Sequence, residues 1–182
     1  MDIDECGYGL NSHNHSFGKV TREKRCNACS KYKHGHGGVN LLIAILGDER
    51  VGHSFSFHSI CCTNGGVDLF CFYDFMLELC DWLVENCPGH EFLIMMDNLN
   101  IHKHPMIMHL MYFCRHHVVF RAPYWSCDGS IEYVFNTIQT RLQSVCIGVD
   151  HKFALVNKLN QIVGSRINSF IQTIHSSCWF PG

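Results

Sequence analysis

The stretch "FLIMMDNLNIH", residues 92–102, changes character in a single step. Five apolar residues in succession suit a buried strand. At Asp97 the run stops on a carboxylate and passes at once into amide and histidine side chains. An acid fixed at the tip of a buried strand has a fixed position in space, which is what holding a cation or a reacting group requires.

Working outward from that strand, "DIDECGYGL" (2–10) reads as a strand, followed by a polar, histidine-rich loop. "VNLLIAIL" (39–46) reads as a buried strand, "GDER" as a turn, and "VGHSFSF" (51–57) as an alternating strand with Val51, Phe55 and Phe57 on one face. Three successive strands with polar connections predict an antiparallel meander. Between residues 67 and 86 the period changes: Asp74, Glu78, Asp81 and Glu85 form one stripe of an otherwise apolar helix, read as its solvated face. "PMIMHLMYF" predicts a short helix begun by Pro105, and "HVVFRAP" a fifth strand. Ile131, Val134, Ile138, Leu142 and Val145 share a helical face, with Asp128 or Ser130 as N-cap. A last amphipathic helix is predicted over about 152–174. The order is β-β-β-α-β-α-β-α-α.

The bulk numbers exclude several classes. The 182 residues suffice for one domain with a real core, and 47% hydrophobic with 16% charged residues describe a folded globular chain. "MDIDECG" places acids where a secretory signal carries bases, and no apolar run approaches a membrane span, so a soluble intracellular protein is expected. The 12 cysteines are accordingly expected to be reduced, with Cys71, Cys80 and Cys114 acting as small hydrophobes. The net charge of −2 hides an asymmetry: residues 1–100 carry 13 acids and 7 bases, residues 101–182 carry 3 acids and 7 bases. Such a distribution suits a polyanion on one side and cations on the other.

In an α/β arrangement of this order the first and fourth strands can lie side by side at the centre of the sheet. Asp4 lies on the first, and Asp97 ends the fourth. Glu132 opens the helix after the fifth strand, where the helix dipole favours its ionised form. Three carboxylates so gathered offer hard oxygen ligands of the kind Mg²⁺ or Mn²⁺ takes.

The strings "DIDECGYGL", "MMDNLNIH" and "RAPYWSCDGSIEYVFNTIQ" resemble, in order, the motifs of the DDE transposase catalytic domains of the mariner superfamily and their insertion-sequence relatives. Between Asp97 and Glu132 lie 34 residues, a spacing found in that superfamily. The resemblance covers residues 2 to about 145. It implies a ribonuclease H-like fold, with a central mixed five-stranded sheet, the first three strands a meander, flanked by helices. It also implies a metal triad of Asp4, Asp97 and Glu132 holding two Mg²⁺ or Mn²⁺ ions, and hydrolysis of DNA phosphodiesters with strand transfer in transposition and integration. The implied partner is DNA, both transposon ends and target, with a homodimer as one option and no membrane or small-molecule cofactor. The chain departs from the pattern in having no proline from 125 to 131. No helix-turn-helix region precedes Met1, so residues 1–182 are expected to form a single catalytic domain: a core, a truncated product or a remnant. The alternative function is a catalytically silent, transposon-derived DNA-binding or interaction module. Nuclear residence would follow in a eukaryotic host.

Other residues carry weaker readings. His102, matching the family's turn histidine, is open to DNA contact, to orienting a carboxylate, or to a structural hydrogen bond within its loop. With Lys103, Arg121, Lys24 and Arg25 it makes up the candidate DNA contacts, the last two in a basic segment over 19–33. Glu5 is expected on the sheet face opposite Asp4, and Asp2 at a frayed surface end, in reserve as a ligand. Cys26, Cys29, His34 and His36 have enough ligands for one zinc ion but short spacing, and a flexible basic hairpin is the competing reading. Cys61 and Cys62 lack a base that would make either a nucleophile. Tyr124 and Trp125 are open to base stacking or to packing under the final helix.

Overall fold

Strand β1 (Asp2–Gly9) is the axis of the sheet, antiparallel to β2 (Gly38–Asp48) on one side and parallel to β4 (Leu93–Met96) on the other. β3 (His53–Cys61) pairs antiparallel with β2, and β5 (His117–Phe120) parallel with β4, giving the order β3-β2-β1-β4-β5. The meander and the two later strands are therefore as the sequence predicts. The computed structural model describes residues 1–9, 38–48, 53–61, 66–122, 130–145 and 152–164. Val51, the basic segment with Lys24 and Arg25, the Cys26, Cys29, His34 and His36 group, Cys62, Tyr124, Trp125, Asp128 and the end of the last predicted helix lie outside these residues.

Alternation along the strands divides the core into two layers. Ile3, Leu42, Ala44, Leu46 and Phe55 meet α1 (Leu69–Asn86) and α2 (Pro105–Phe113) through Phe72, Phe75, Met76, Leu79 and Ile107. Tyr8, Val39, Leu41, Ile43 and Ile45 face the other way, against Ile131, Val134, Ile138 and Leu142 of α3 (Ser130–Val145) and Leu155, Leu159 and Val163 of α4 (152–164). Each fully buried aliphatic side chain in these layers contributes about 1.5–3 kcal/mol. The two layers hold the centre of the sheet between helices on both faces.

The helix termini follow local chemistry. Asp68 caps α1 by accepting from the Cys71 backbone N–H at 2.8 Å, and its four acids, Asp74, Glu78, Asp81 and Glu85, all face solvent. Pro105 occupies the first turn of α2, behind His104, whose ring accepts from the Met106 N–H at 3.3 Å. α2 ends on Arg115 in the left-handed region, φ 62°. Among the described residues no helix is long and apolar enough to cross a membrane.

One expectation is corrected here. Cys71 is not a free thiol: it forms a disulfide with Cys61, tying the end of β3 to the first turn of α1 across 10 positions of sequence. Cys6, Cys80, Cys87 and Cys114 are free. The pairing depends on β3 and α1 being brought together by the core, which spacing in the sequence does not reveal.

Candidate acidic site at the end of the fourth strand

Parallel pairing of β1 with β4, Asp2 opposite Met95, brings the end of β4 level with the first half of β1. Asp4 follows the alternation of Asp2, Cys6 and Tyr8, so it projects toward the α3 layer. It is buried except for 14% of its side chain. Its Oδ1 accepts from the Glu5 backbone N–H at 2.8 Å. Burial raises the Asp4 carboxyl from 3.8 to about 6; the neighbouring charges of Glu5 and Asp97 add to the rise and Arg121 opposes it. Asp97 follows directly on Met96, the last residue of β4, and its Oδ1 also takes the Leu99 backbone N–H at 3.3 Å, closing the turn after the strand. The fold thus brings Asp4 and Asp97 within electrostatic reach of each other.

Glu132 sits in the first turn of α3, half-buried between Ile131, which is sunk in the core, and exposed Tyr133. Burial pushes the Cys6 thiol up, and the charges of Asp4 and Glu132 push it further. Cys6 is two residues along β1 from Asp4 on the same face, so Glu132 lies on the Asp4 side of the sheet. The three acids are nevertheless not drawn together: among the described residues no group of three or more His, Cys, Asp or Glu side chains is spaced to hold a metal ion. Glu132 lies within electrostatic reach of Cys6, and Asp97 within electrostatic reach of Asp4.

Two basic side chains close around this pair, each from a different layer. Arg121 follows β5 and donates its backbone N–H to Met96 O at 2.8 Å, which places it at the same strand ends as Asp97. Its guanidinium spans two carboxylates, Nη2 at 3.3 Å from Asp2 Oδ1 and Nη1 at 3.6 Å from Asp4 Oδ2, with only 12% of the side chain exposed. Arg121 therefore faces inward, toward the acids. Asp2, expected at a frayed end, is likewise buried, because β1 begins at the sheet centre.

On the opposite face, His102 is fully buried with its ring centroid 4.4 Å from that of Phe72. Nδ1 lies 2.5 Å from Asp97 Oδ1, and Nε2 lies 3.2 Å from Glu5 Oε2 without the alignment of a hydrogen bond. Burial works to lower the imidazole pKa, but the carboxylates of Glu5 and Asp97 outweigh it and the net shift is upward. Nδ1 also lies 3.3 Å from the Asp97 backbone carbonyl, so the buried ring makes the structural contact within its loop and touches the Asp97 carboxylate as well. Glu5 lies on the face opposite Asp4, as alternation requires. Lys103 is exposed and stands 5.6 Å above the Phe120 ring.

The pairing of Arg121 with Asp2 and Asp4 escaped sequence reasoning. One signal for it existed: an arginine one position past the fifth strand stands level with the end of the fourth, beside which the first residues of β1 lie in register.

No protein-family model and no curated protein sequence matches the chain. Solved structures do. A Mos1 mariner transposase paired-end complex with Mn superposes with a TM-score of 0.74 at 13% identity, covering 96% of this chain and 51% of that one. The Mos1 transposase paired-end complex with left transposon end gives 0.73 at 13% identity over the same shares. The isolated catalytic domain of Mos1 mariner transposase gives 0.58 at 13% identity over 75% of this chain and 68% of that one. The chain has the fold of a mariner transposase catalytic domain. The ribonuclease H-like mixed sheet expected from the motifs is thereby borne out, and with it the resemblance that suggested it. The chain spans about half the length of the transposases in the two complexes. At 13% identity the mariner-like superposition speaks for the fold, and the chemistry rests on the residues themselves.

Proposed function

We propose that the chain is a single catalytic domain of a DNA transposase or endonuclease, acting on phosphodiesters of transposon-end and target DNA. The observation that carries this reading is the placement of Asp97 at the tip of β4 beside Asp4 of β1, at the centre of a fold shared with mariner transposases. The solved Mos1 complexes include one with transposon-end DNA and one with Mn, which supports DNA and a divalent ion as partners here.

The donor set fits such an ion in kind. Asp4 and Asp97 offer hard oxygens, and an Asp4 carboxyl raised to about 6 is one whose ionised form a cation would favour. Asp4, Asp97 and, after an approach from the first turn of α3, Glu132 would hold Mg²⁺ or Mn²⁺. Bound there, two ions would supply Lewis acidity to a water and to the leaving oxygen of a phosphodiester. Asp97 is held toward the site by His102 from behind, and Asp4 by the Glu5 N–H. Exposed Lys103, in the turn after Asp97, would meet a DNA phosphate.

A catalytically silent DNA-binding module is the second reading. The observation favouring it is that Arg121 already neutralises Asp2 and Asp4 while Glu132 stands apart. Cleavage of a labelled DNA duplex with Mn²⁺ separates the two. Wild-type cleavage that falls at least about a hundredfold in Asp97→Asn and Glu132→Gln supports the enzyme. Cleavage unchanged in Glu132→Gln removes it from the ligand set, and DNA binding without any cleavage favours the module.

A further inference from the structure

The acidic site contains a cation of its own. Arg121 is fixed by its backbone to the end of β4, and its two terminal nitrogens are divided between Asp2 and Asp4 rather than paired with one carboxylate. A guanidinium shared in this way is looser than a bidentate fork, whose two parallel bonds to a single carboxylate fix both groups. Both contacts, at 3.3 and 3.6 Å, are long for a charge-assisted hydrogen bond. Yet the side chain is nearly buried, so the pairing is not screened as a surface pair would be. The guanidinium also occupies space at Asp4 that a divalent ion would need, and like charges in one pocket exclude each other.

Resting on the reading of the site given above, we propose that Arg121 is an internal counter-ion. It holds the cation position at Asp4 in the metal-free chain and must withdraw its Nη1 from that carboxylate before Mg²⁺ or Mn²⁺ can bind. Its flexible side chain allows this without movement of the strand, since the backbone anchor to Met96 is independent of the guanidinium. Asp2 retains the guanidinium while Asp4 is released. The consequence is a metal affinity set below what the carboxylates alone would give, and a metal-free fold spared the repulsion between them.

The test is an Mn²⁺ titration of the full chain followed by electron paramagnetic resonance, together with metal-free melting temperatures. Arg121→Gln is expected to bind Mn²⁺ about tenfold more tightly than wild type and to melt lower without metal. Arg121→Lys, which keeps a charge but cannot span two carboxylates, is expected to lie between, and decides the matter if Arg121→Gln does not fold. Asp97→Asn serves as the control for location. Equal or weaker Mn²⁺ affinity in Arg121→Gln, with binding lost in Asp97→Asn, overturns the counter-ion and leaves the metal site standing. Binding that survives Asp97→Asn, or no binding by either wild type or Arg121→Gln, overturns the site and the counter-ion with it.

Discussion

His102 and Asp97 are in contact across the end of β4, imidazole Nδ1 to carboxylate Oδ1 at 2.5 Å, with the ring wholly buried and Glu5 at its other nitrogen. The acid that would face a cation on one side of the sheet is thus braced from the other side. Such a brace fixes the orientation of a carboxylate in the way outer partners fix metal ligands.

Removing the brace should be costly. His102→Ala leaves the Glu5 and Asp97 carboxylates without their shared partner and opens a hole beside Phe72, for a loss of about 3 kcal/mol. Urea denaturation of the metal-free protein measures it. His102→Gln, which can still donate to Asp97, should recover part of the loss, and a loss under about 1 kcal/mol in His102→Ala would show that the contact is incidental.

Asp4 should give the metal-free protein a pH dependence of definite sign. Its folded carboxyl titrates near 6 against 3.8 when exposed, mainly because it is buried. Between those values the folded state keeps a proton that the unfolded state has lost, so this contribution to stability is full below pH 3.8 and is lost as pH rises through about 6. The span corresponds to an order of 3 kcal/mol. Stability measured from pH 4 to 7 should lose that fall in Asp4→Asn; an identical profile in the variant would place the titration elsewhere.

Disulfide closure between Cys61 and Cys71 should stabilise the junction of β3 and α1. For a closed segment of 10 positions, loss of unfolded-chain entropy contributes about 2–3 kcal/mol. Reduction, or Cys71→Ser, should lower the melting temperature by roughly 5–10 °C. Thiol counting in denaturant before and after reduction detects the bond and peptide mapping locates it, and a fully reduced native protein would contradict it.

Arg115 sits at φ 62° where α2 ends, with the His116 N–H on Met111 O at 2.9 Å, a helix terminus that favours glycine. Its ion pair with Glu91 at 3.3 Å is exposed and contributes little. Arg115→Gly should therefore raise stability by up to about 1 kcal/mol in chemical denaturation. A decrease would mean that the side chain contributes more than its backbone strain costs.

The elements were legible in the sequence because local rules govern them. Strand runs such as "VNLLIAIL" announce burial, Asp74, Glu78, Asp81 and Glu85 announce a helix with a wet face, and Pro105 announces a first turn. The ordered acids announced the fold that the solved mariner structures share. Glu5 on the face opposite Asp4 followed from alternation alone.

By itself, then, the sequence determined which segments form strands and helices and that Asp4 lies on the first strand and Asp97 at the end of the fourth, since hydrophobic period and turn chemistry act over a few neighbouring residues. Only the tertiary structure decided what each acid touches. Arg121 reaches Asp2 and Asp4, His102 reaches Glu5 and Asp97, and Cys61 reaches Cys71 because three-dimensional packing joins segments from different parts of the chain. Charge pairing across such distances depends on the path of the backbone between the partners, and no local pattern of residues encodes that path.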